Sequence, residues 1–204
     1  MNIEIRDLRK ADFDSCIYFA IKGMHFNTYL DSEFELNMYG KYFFYMEMLR
    51  SSQIIAAYAD GKFVGLLLAD VKGEKKAYKS FWKSLYVKTF DFIQNIFFKD
   101  SAGGYDAANK EMLDNYAGKD KLDGEICFLA ADPDNKIKGV GTALLEEFEK
   151  REKGKNIFLY TDDRCTYQFY EHRGFKRVGE KDIDIEIKRK KVKLKCLLYS
   201  KRIK

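Results

Sequence analysis

Ile126-Cys127-Phe128-Leu129-Ala130-Ala131-Asp132-Pro133-Asp134-Asn135-Lys136-Ile137-Lys138-Gly139-Val140-Gly141-Thr142 is the stretch that decides the fold. Its first six residues form a continuous apolar run of strand length, which predicts a strand buried on both faces. The chain then turns through Pro133 and two glycines, and Leu144, Leu145 and Phe148 follow at helical spacing. A helix that opens here leaves its first N–H groups without intrahelical acceptors, and its dipole adds partial positive charge. Gly139 and Gly141 have no side chains to hold an anion off those N–H groups, and Lys136 and Lys138 add charge at the rim. The loop reads as a diphosphate cradle.

The kind of diphosphate is narrowed by exclusion. A Walker A loop needs Gly-Lys followed by Ser or Thr, but the Gly-Lys pairs here run into Tyr42, Phe63, Asp120 and Asn156. A dinucleotide fingerprint needs a third glycine, and Leu144 stands in its place.

Working outward, Ile157 to Tyr160 predicts another buried strand, and Thr166 to His172 a short helix ended by Gly174. Val178 to Ile187 and Val192 to Tyr199 read as two strands, with Arg189-Lys190-Lys191 at the tip between them. Upstream, Ile54 to Tyr58 and Phe63 to Val71 form a hairpin through Asp60-Gly61, the favoured turn dipeptide. Ile3 and Ile5 alternate with polar neighbours in a short strand. Asp12 caps a helix carrying Phe13, Ile17, Phe19 and Ile21, and residues 34 to 49 form a second helix rich in aromatics and methionine.

Between Glu74 and Asp123, Phe81, Trp82, Leu85, Tyr86, Phe92, Ile93, Ile96 and Phe97 recur at helical spacings. This helix, spanning Tyr78 to Phe98, serves as core or a dimer face, with a lid or a membrane-surface helix as alternatives. Ala102-Gly103-Gly104-Tyr105 is expected to break it before a shorter helix over Ala107 to Tyr116. The whole reads as an α/β chain of the α+β kind: a mixed, mostly antiparallel sheet of six to seven strands flanked by helices. One domain, 1–204, carries a helical insertion at about 74–123.

A short strand end before the loop, and Tyr170-Glu171-His172-Arg173-Gly174-Phe175 after the next strand, complete a pattern. Together they resemble the core of the GNAT family of N-acetyltransferases. That family shows a strand, Arg/Gln-x-x-Gly-x-Gly/Ala, a helix, a strand and a Tyr-Glu-x-x-Gly-Phe ending. The resemblance covers residues 125 to 180, with the hairpin at 54 to 71 in the expected place.

The resemblance implies an acyl-CoA N-acyltransferase fold whose Ile126 and Ile157 strands run parallel and splay apart. It implies acetyl-CoA as the acetyl donor, with a primary amine of a small molecule or peptide attacking directly. Main-chain N–H groups of Ile137, Lys138, Gly139, Val140, Gly141 and Thr142 would hold the diphosphate. Leu129, Ala130 and Ala131 would line the pantetheine arm, and a strand-end N–H would polarise the thioester carbonyl. Tyr170 would protonate the departing thiolate. Lys136 stands where Arg or Gln is usual, keeping the charge without the fork. Asp163 stands where an asparagine commonly contacts the cofactor arm.

Direct attack needs a neutral amine, so a carboxylate must take its proton. Glu125 at the start of the buried strand is the first candidate and Asp132 at its end the second. The alternative function is a non-catalytic acyl-CoA-binding or interaction module on the same scaffold.

Composition limits the other classes. Hydrophobic residues are 46% and charged residues 34%, with one proline, so a core can form and extended disorder is excluded. Cys16, Cys127, Cys165 and Cys196 are scattered, with only two histidines beside them, so they read as buried thiols rather than zinc ligands. No run approaches the ~18 apolar residues of a membrane span. The N-terminus has no apolar h-region. These features predict a cytoplasmic protein without a membrane partner. From Lys176 to Lys204 there are 12 Lys or Arg against 4 Asp or Glu. No nucleic-acid motif accompanies this basic segment, which reads as a solvated strand face. A homodimer stays open.

Overall fold

The computed structural model describes residues 2–28, 30, 32–97, 103–135, 137–187 and 190–204. Asp60 and Gly61 take positive φ, +49° and +76°, the backbone that a two-residue hairpin turn demands. They join β2 (Gln53–Ala59) to β3 (Lys62–Val71). β1 (Ile3–Arg6) flanks β2, and β4 (Gly124–Ala131) flanks β3, both antiparallel. β5 (Asn156–Asp162) runs parallel to β4. β7 (Lys190–Arg202) lies between β5 and β6 (Lys176–Ile187), antiparallel to each. The sheet order is β1-β2-β3-β4-β5-β7-β6, a mixed sheet with one parallel pair.

Helices cover both faces because the strands alternate their apolar residues. On one face, α5 (Val140–Arg151) packs Leu144, Leu145 and Phe148 against Leu67, Ile126, Ile157 and Tyr199. Each such fully buried side chain contributes roughly 1.5–3 kcal/mol. On the other face, α1 (Phe13–Gly23) and α2 (Glu33–Arg50) cover Ala56, Tyr58, Leu66, Leu68 and Phe128. α4 (Gly103–Asn115) covers the far half of that face, setting Ala108 and Met112 on Leu194, Cys196 and Leu198. α3 (Phe81–Phe97) packs on α2, and α6 (Gln168–Glu171) is a short turn before β6.

Four expectations are corrected. Ile126 to Ala131 has buried residues on both faces, Ile126 toward α5 and Phe128 and Ala130 toward α1 and α2, but the run ends early because Ala131 is exposed. In β5, Ile157 and Leu159 are buried, whereas Phe158 and Tyr160 are only partly so. The second helix opens earlier than expected, at Gly103 and Gly104 rather than at Ala107, since a first turn tolerates residues that add little propensity. Asp12 stands at the N-cap of α1, yet its carboxylate makes no cap bond. Tyr58 Oη and Arg9 Nε donate to Asp12 Oδ2 at 2.7 and 2.8 Å, which ties α1 to β2.

The expected tip of the last hairpin includes Arg189, outside the described residues. Several of the basic side chains there are paired: Arg177 with Glu171 at 2.8 Å, Lys201 with Glu149 at 2.5 Å, and Lys181 with Glu111. All four cysteines are free thiols. Among the described residues no cluster of His, Cys, Asp and Glu could hold a metal ion, and no helix is long and apolar enough to cross a membrane.

Candidate active site

The site is made by a parting of two strands. β4 and β5 pair only at Gly124 with Ile157 and at Glu125 with Phe158. Beyond Glu125, β5 follows β7 through all seven of its residues, so the β5-facing edge of β4 has no strand partner among the described residues. A bulge starts the divergence. Ala69 pairs with Ile126 and Leu68 with Phe128, leaving Cys127 as the extra residue. Ile126 therefore points into the α5 core, whereas Cys127 and Phe128 both face α1 and α2.

The expected cradle sits beside this opening. Gly139 is the N-cap of α5 with φ +89°, a backbone that only glycine takes without strain, and nothing approaches within 4 Å of the space its Cβ would fill. The helical ladder begins with Ala143 N–H to Gly139 O at 2.9 Å, so the first-turn N–H groups of Val140, Gly141 and Thr142 face outward. Gly141 has a second reason to be small, because a Cβ there would meet the Phe169 ring at 3.3 Å. Lys138 is exposed at the rim, and Lys136 lies outside the described residues. Ile137 N–H donates to Asn135 Oδ1 at 3.1 Å, shaping the approach to the helix.

Arg173 is brought here although sequence reading gave it no role. Its guanidinium stacks over Phe169 at 4.2 Å, and Nη2 donates to Thr142 Oγ1. Its Nε is buried without a hydrogen-bond partner among the described residues. A cation of fork geometry thus backs the first turn of α5. The signal was its place within Tyr170 to Phe175, read only as part of a motif.

Tyr170 packs among Phe169, Phe175 and Tyr199, with ring centroids 5.3, 5.8 and 6.5 Å away. Burial holds its hydroxyl protonated well above the ordinary tyrosine range. Its neighbour Glu171 accepts from Tyr199 Oη at 2.7 Å and Arg177 Nη2 at 2.8 Å, fixing the turn to β6 and β7. Asp163 is tied to β7: its Oδ1 accepts from Lys195 N–H at 3.1 Å, and its own N–H donates to Lys195 O at 3.1 Å. Asp162 Oδ1 accepts from Arg164 and Cys165 N–H at 2.9 and 3.2 Å, capping the turn into α6.

On the opposite side of the sheet, the strand start holds a partly buried ion cluster. Arg50 Nη1 and Nη2 donate to Glu125 Oε2 and Oε1 at 2.9 and 2.8 Å, while Nε donates to Glu47 Oε2 at 2.7 Å. Both oxygens of Glu125 are therefore engaged by one guanidinium fork. Glu47, one turn earlier on α2 and 4% exposed, keeps Oε1 without a hydrogen bond among the described residues. Burial pushes its carboxyl up to about 7, against the pull of Arg50. Asp132, the other expected carboxylate, shapes its own turn by accepting from Asp134 N–H at 3.0 Å.

The walls of this side come from α1, α2 and α4. Gly23 at the end of α1 lies over Ala130, and Cys165 Sγ reaches its carbonyl at 3.9 Å. Phe43 meets Phe128 edge to face at 5.5 Å. The charge of Asp106 on α4 is felt by Glu47 and Tyr39 on α2, so these carboxyl and phenol groups share one region. Burial raises the thiols of Cys127 and Cys165, which makes them poor nucleophiles.

No protein-family model matches this chain, and no curated protein resembles it in sequence. Solved structures do resemble it in shape. One is described as histone acetyltransferase HPA2 and related acetyltransferase from Corynebacterium glutamicum (TM-score 0.64, 17% identity, covering 100% of this chain and 98% of that one). A second is the PaiA N-acetyltransferase of Thermoplasma acidophilum in complex with coenzyme A (0.55, 18%, 99% of each chain). A third is the ribosomal-protein-S18-alanine N-acetyltransferase of Escherichia coli (0.51, 13%, 99% and 94%). At these identities the likeness speaks to architecture, and the chain has the fold of the GNAT acetyltransferases.

Proposed function

We propose that this protein is an N-acetyltransferase that moves the acetyl group of acetyl-CoA to a primary amine by direct attack. The observation that carries the reading is the parting of β4 from β5 beside the open first turn of α5. The residues present fit the donor. Gly139 leaves room for a phosphate, the outward N–H groups supply donors, and Arg173 stands behind them with Nε lacking a hydrogen-bond partner among the described residues. The free edge of β4 at Leu129, Ala130 and Ala131 can pair with the amide groups of a pantetheine arm as a further strand would.

Acetyl-CoA supplies an activated thioester. A β4 N–H on the open edge polarises its carbonyl. Tyr170, kept protonated by burial, donates its hydroxyl proton to the sulfur as the C–S bond breaks. The amine loses its proton to a carboxylate as the new C–N bond forms. Glu47 is better suited than Glu125 to take that proton, directly or through a water, because Arg50 already occupies both Glu125 oxygens.

Glu47 makes the reading testable by pH. A carboxylate base works only when ionised, so kcat/KM should rise with pH through about 7, the value to which burial lifts Glu47. Glu47→Gln should remove that limb and lower kcat/KM by about 10²–10⁴-fold. An unchanged profile in Glu47→Gln returns the role to another group. The function itself is tested by assaying acetyl transfer to a broad amine panel while measuring acetyl-CoA binding by titration. Binding without any transfer would leave a non-catalytic acyl-CoA-binding module.

A further inference from the structure

α3 turns two chemically different faces to its surroundings. Lys83, Tyr86, Phe90 and Asp91 face inward. Lys83 Nζ lies 4.4 Å from the Tyr45 ring, and Tyr86 Oη donates to Met38 O at 3.0 Å. Phe90 stacks on Tyr42 at 4.4 Å, and Asp91 accepts from Tyr42 Oη at 2.6 Å. That side of α3 is thus held on α2 by ring stacking and two hydrogen bonds.

The outer face is the anomaly. Residues 81, 82, 85, 88, 89, 92 and 93 fall on one side of the helix, at spacings of three, four and seven. Five of them are large and apolar. Trp82 is 76% exposed, Phe81 73% and Phe92 66%, with Leu85 and Ile93 also open. Water-exposed apolar residues scattered singly need no explanation, but a contiguous helical stripe does.

Charge selects the occupant. The other two residues of the face are Lys88 and Thr89, and no acidic residue lies on it. Lys75 and Lys79, exposed on the approach to the helix, add cations that hold no ion pair among the described residues. Asp91, on the same helix, is turned to Tyr42. A second copy docked by a two-fold axis on this stripe would set Lys88, at its middle, against the partner copy's equivalent lysine in a desolvated seam, which is costly. An anionic lipid surface instead accepts the same lysines as favourable contacts while the aromatic rings enter the headgroup region.

We infer that the outer face of α3 docks on an anionic bilayer surface, seating Phe81, Trp82, Leu85, Phe92 and Ile93 at the interface. This reverses the expectation of no membrane partner, and it does not depend on the acetyltransferase reading. Trp82 is the sole tryptophan of the chain, so its emission reports on the patch alone. The test is flotation with vesicles of phosphatidylcholine, with and without phosphatidylserine, read together with Trp82 fluorescence. Wild type should float with the anionic vesicles and its emission should shift to the blue, with binding to neutral vesicles weaker by about tenfold or more. Phe81→Ser with Phe92→Ser should abolish flotation while leaving far-UV circular dichroism and thermal midpoint unchanged, and Lys79→Glu with Lys88→Glu should weaken it on anionic vesicles only. Absence of flotation by wild type, flotation undiminished in the double serine variant, or self-association that shifts Trp82 emission without lipid would each overturn the inference.

Discussion

Replacing Arg50 by methionine should lower the stability of the protein by about 1–3 kcal/mol, measured as the shift in urea unfolding at pH 8. Arg50 bonds two carboxylates at once, Glu47 and Glu125. Methionine fills the space of the arginine stem but leaves Glu47, 4% exposed, and Glu125 facing each other without compensation. The pH dependence has a definite sign. Glu47 already has a folded pKa raised to about 7, above the unfolded value of about 4.3. Its ionised form therefore costs stability above about 7 and costs nothing below the unfolded value, where both states are protonated. Removing Arg50 raises both carboxyls further, so the deficit of the variant should be largest at pH 8 and shrink toward pH 4. By contrast, Lys110→Met, which breaks the exposed pair with Asp114 at 2.8 Å, should leave the unfolding midpoint unchanged.

Tyr170→Phe should lower kcat for acetyl transfer by about 10²–10⁴-fold, with acetyl-CoA affinity close to that of wild type. The substitution removes one hydroxyl and keeps the ring that Phe169, Phe175 and Tyr199 pack against. Steady-state kinetics with a titration of acetyl-CoA separate the two quantities. A loss confined to KM would mean that Tyr170 only positions the donor, and an unchanged kcat would remove it from the chemistry.

What was legible in the sequence was local. Asp60-Gly61 specified its turn because two adjacent residues had to accept positive φ. Gly139 marked the helix start for the same reason, and Leu144, Leu145 and Phe148 gave the helix its buried side. The parting of β4 and β5 came from the family resemblance rather than from periodicity. The bulge at Cys127 that begins it has no signature in a run of apolar residues.

The pairing of Glu125, the first candidate base, was illegible for a different reason. Arg50 and Glu125 are 75 residues apart and meet only because α2 crosses the sheet beside β4. Sequence spacing showed Glu47 and Arg50 as neighbours on a helix, but nothing showed that the pair would be buried or would take up Glu125. Arg173 likewise acquires its meaning from Thr142, on another helix. The outer stripe of α3 was visible as an apolar periodicity, but its direction was set by which side α2 claimed.

A structure determined with coenzyme A bound tests the central claim most directly. The diphosphate should lie on the N–H groups of Val140, Gly141 and Thr142, with the Arg173 guanidinium alongside, and the pantetheine arm should pair with the open edge of β4 beyond Glu125. A diphosphate bound elsewhere, or an arm that leaves the gap between β4 and β5 unfilled, would contradict it.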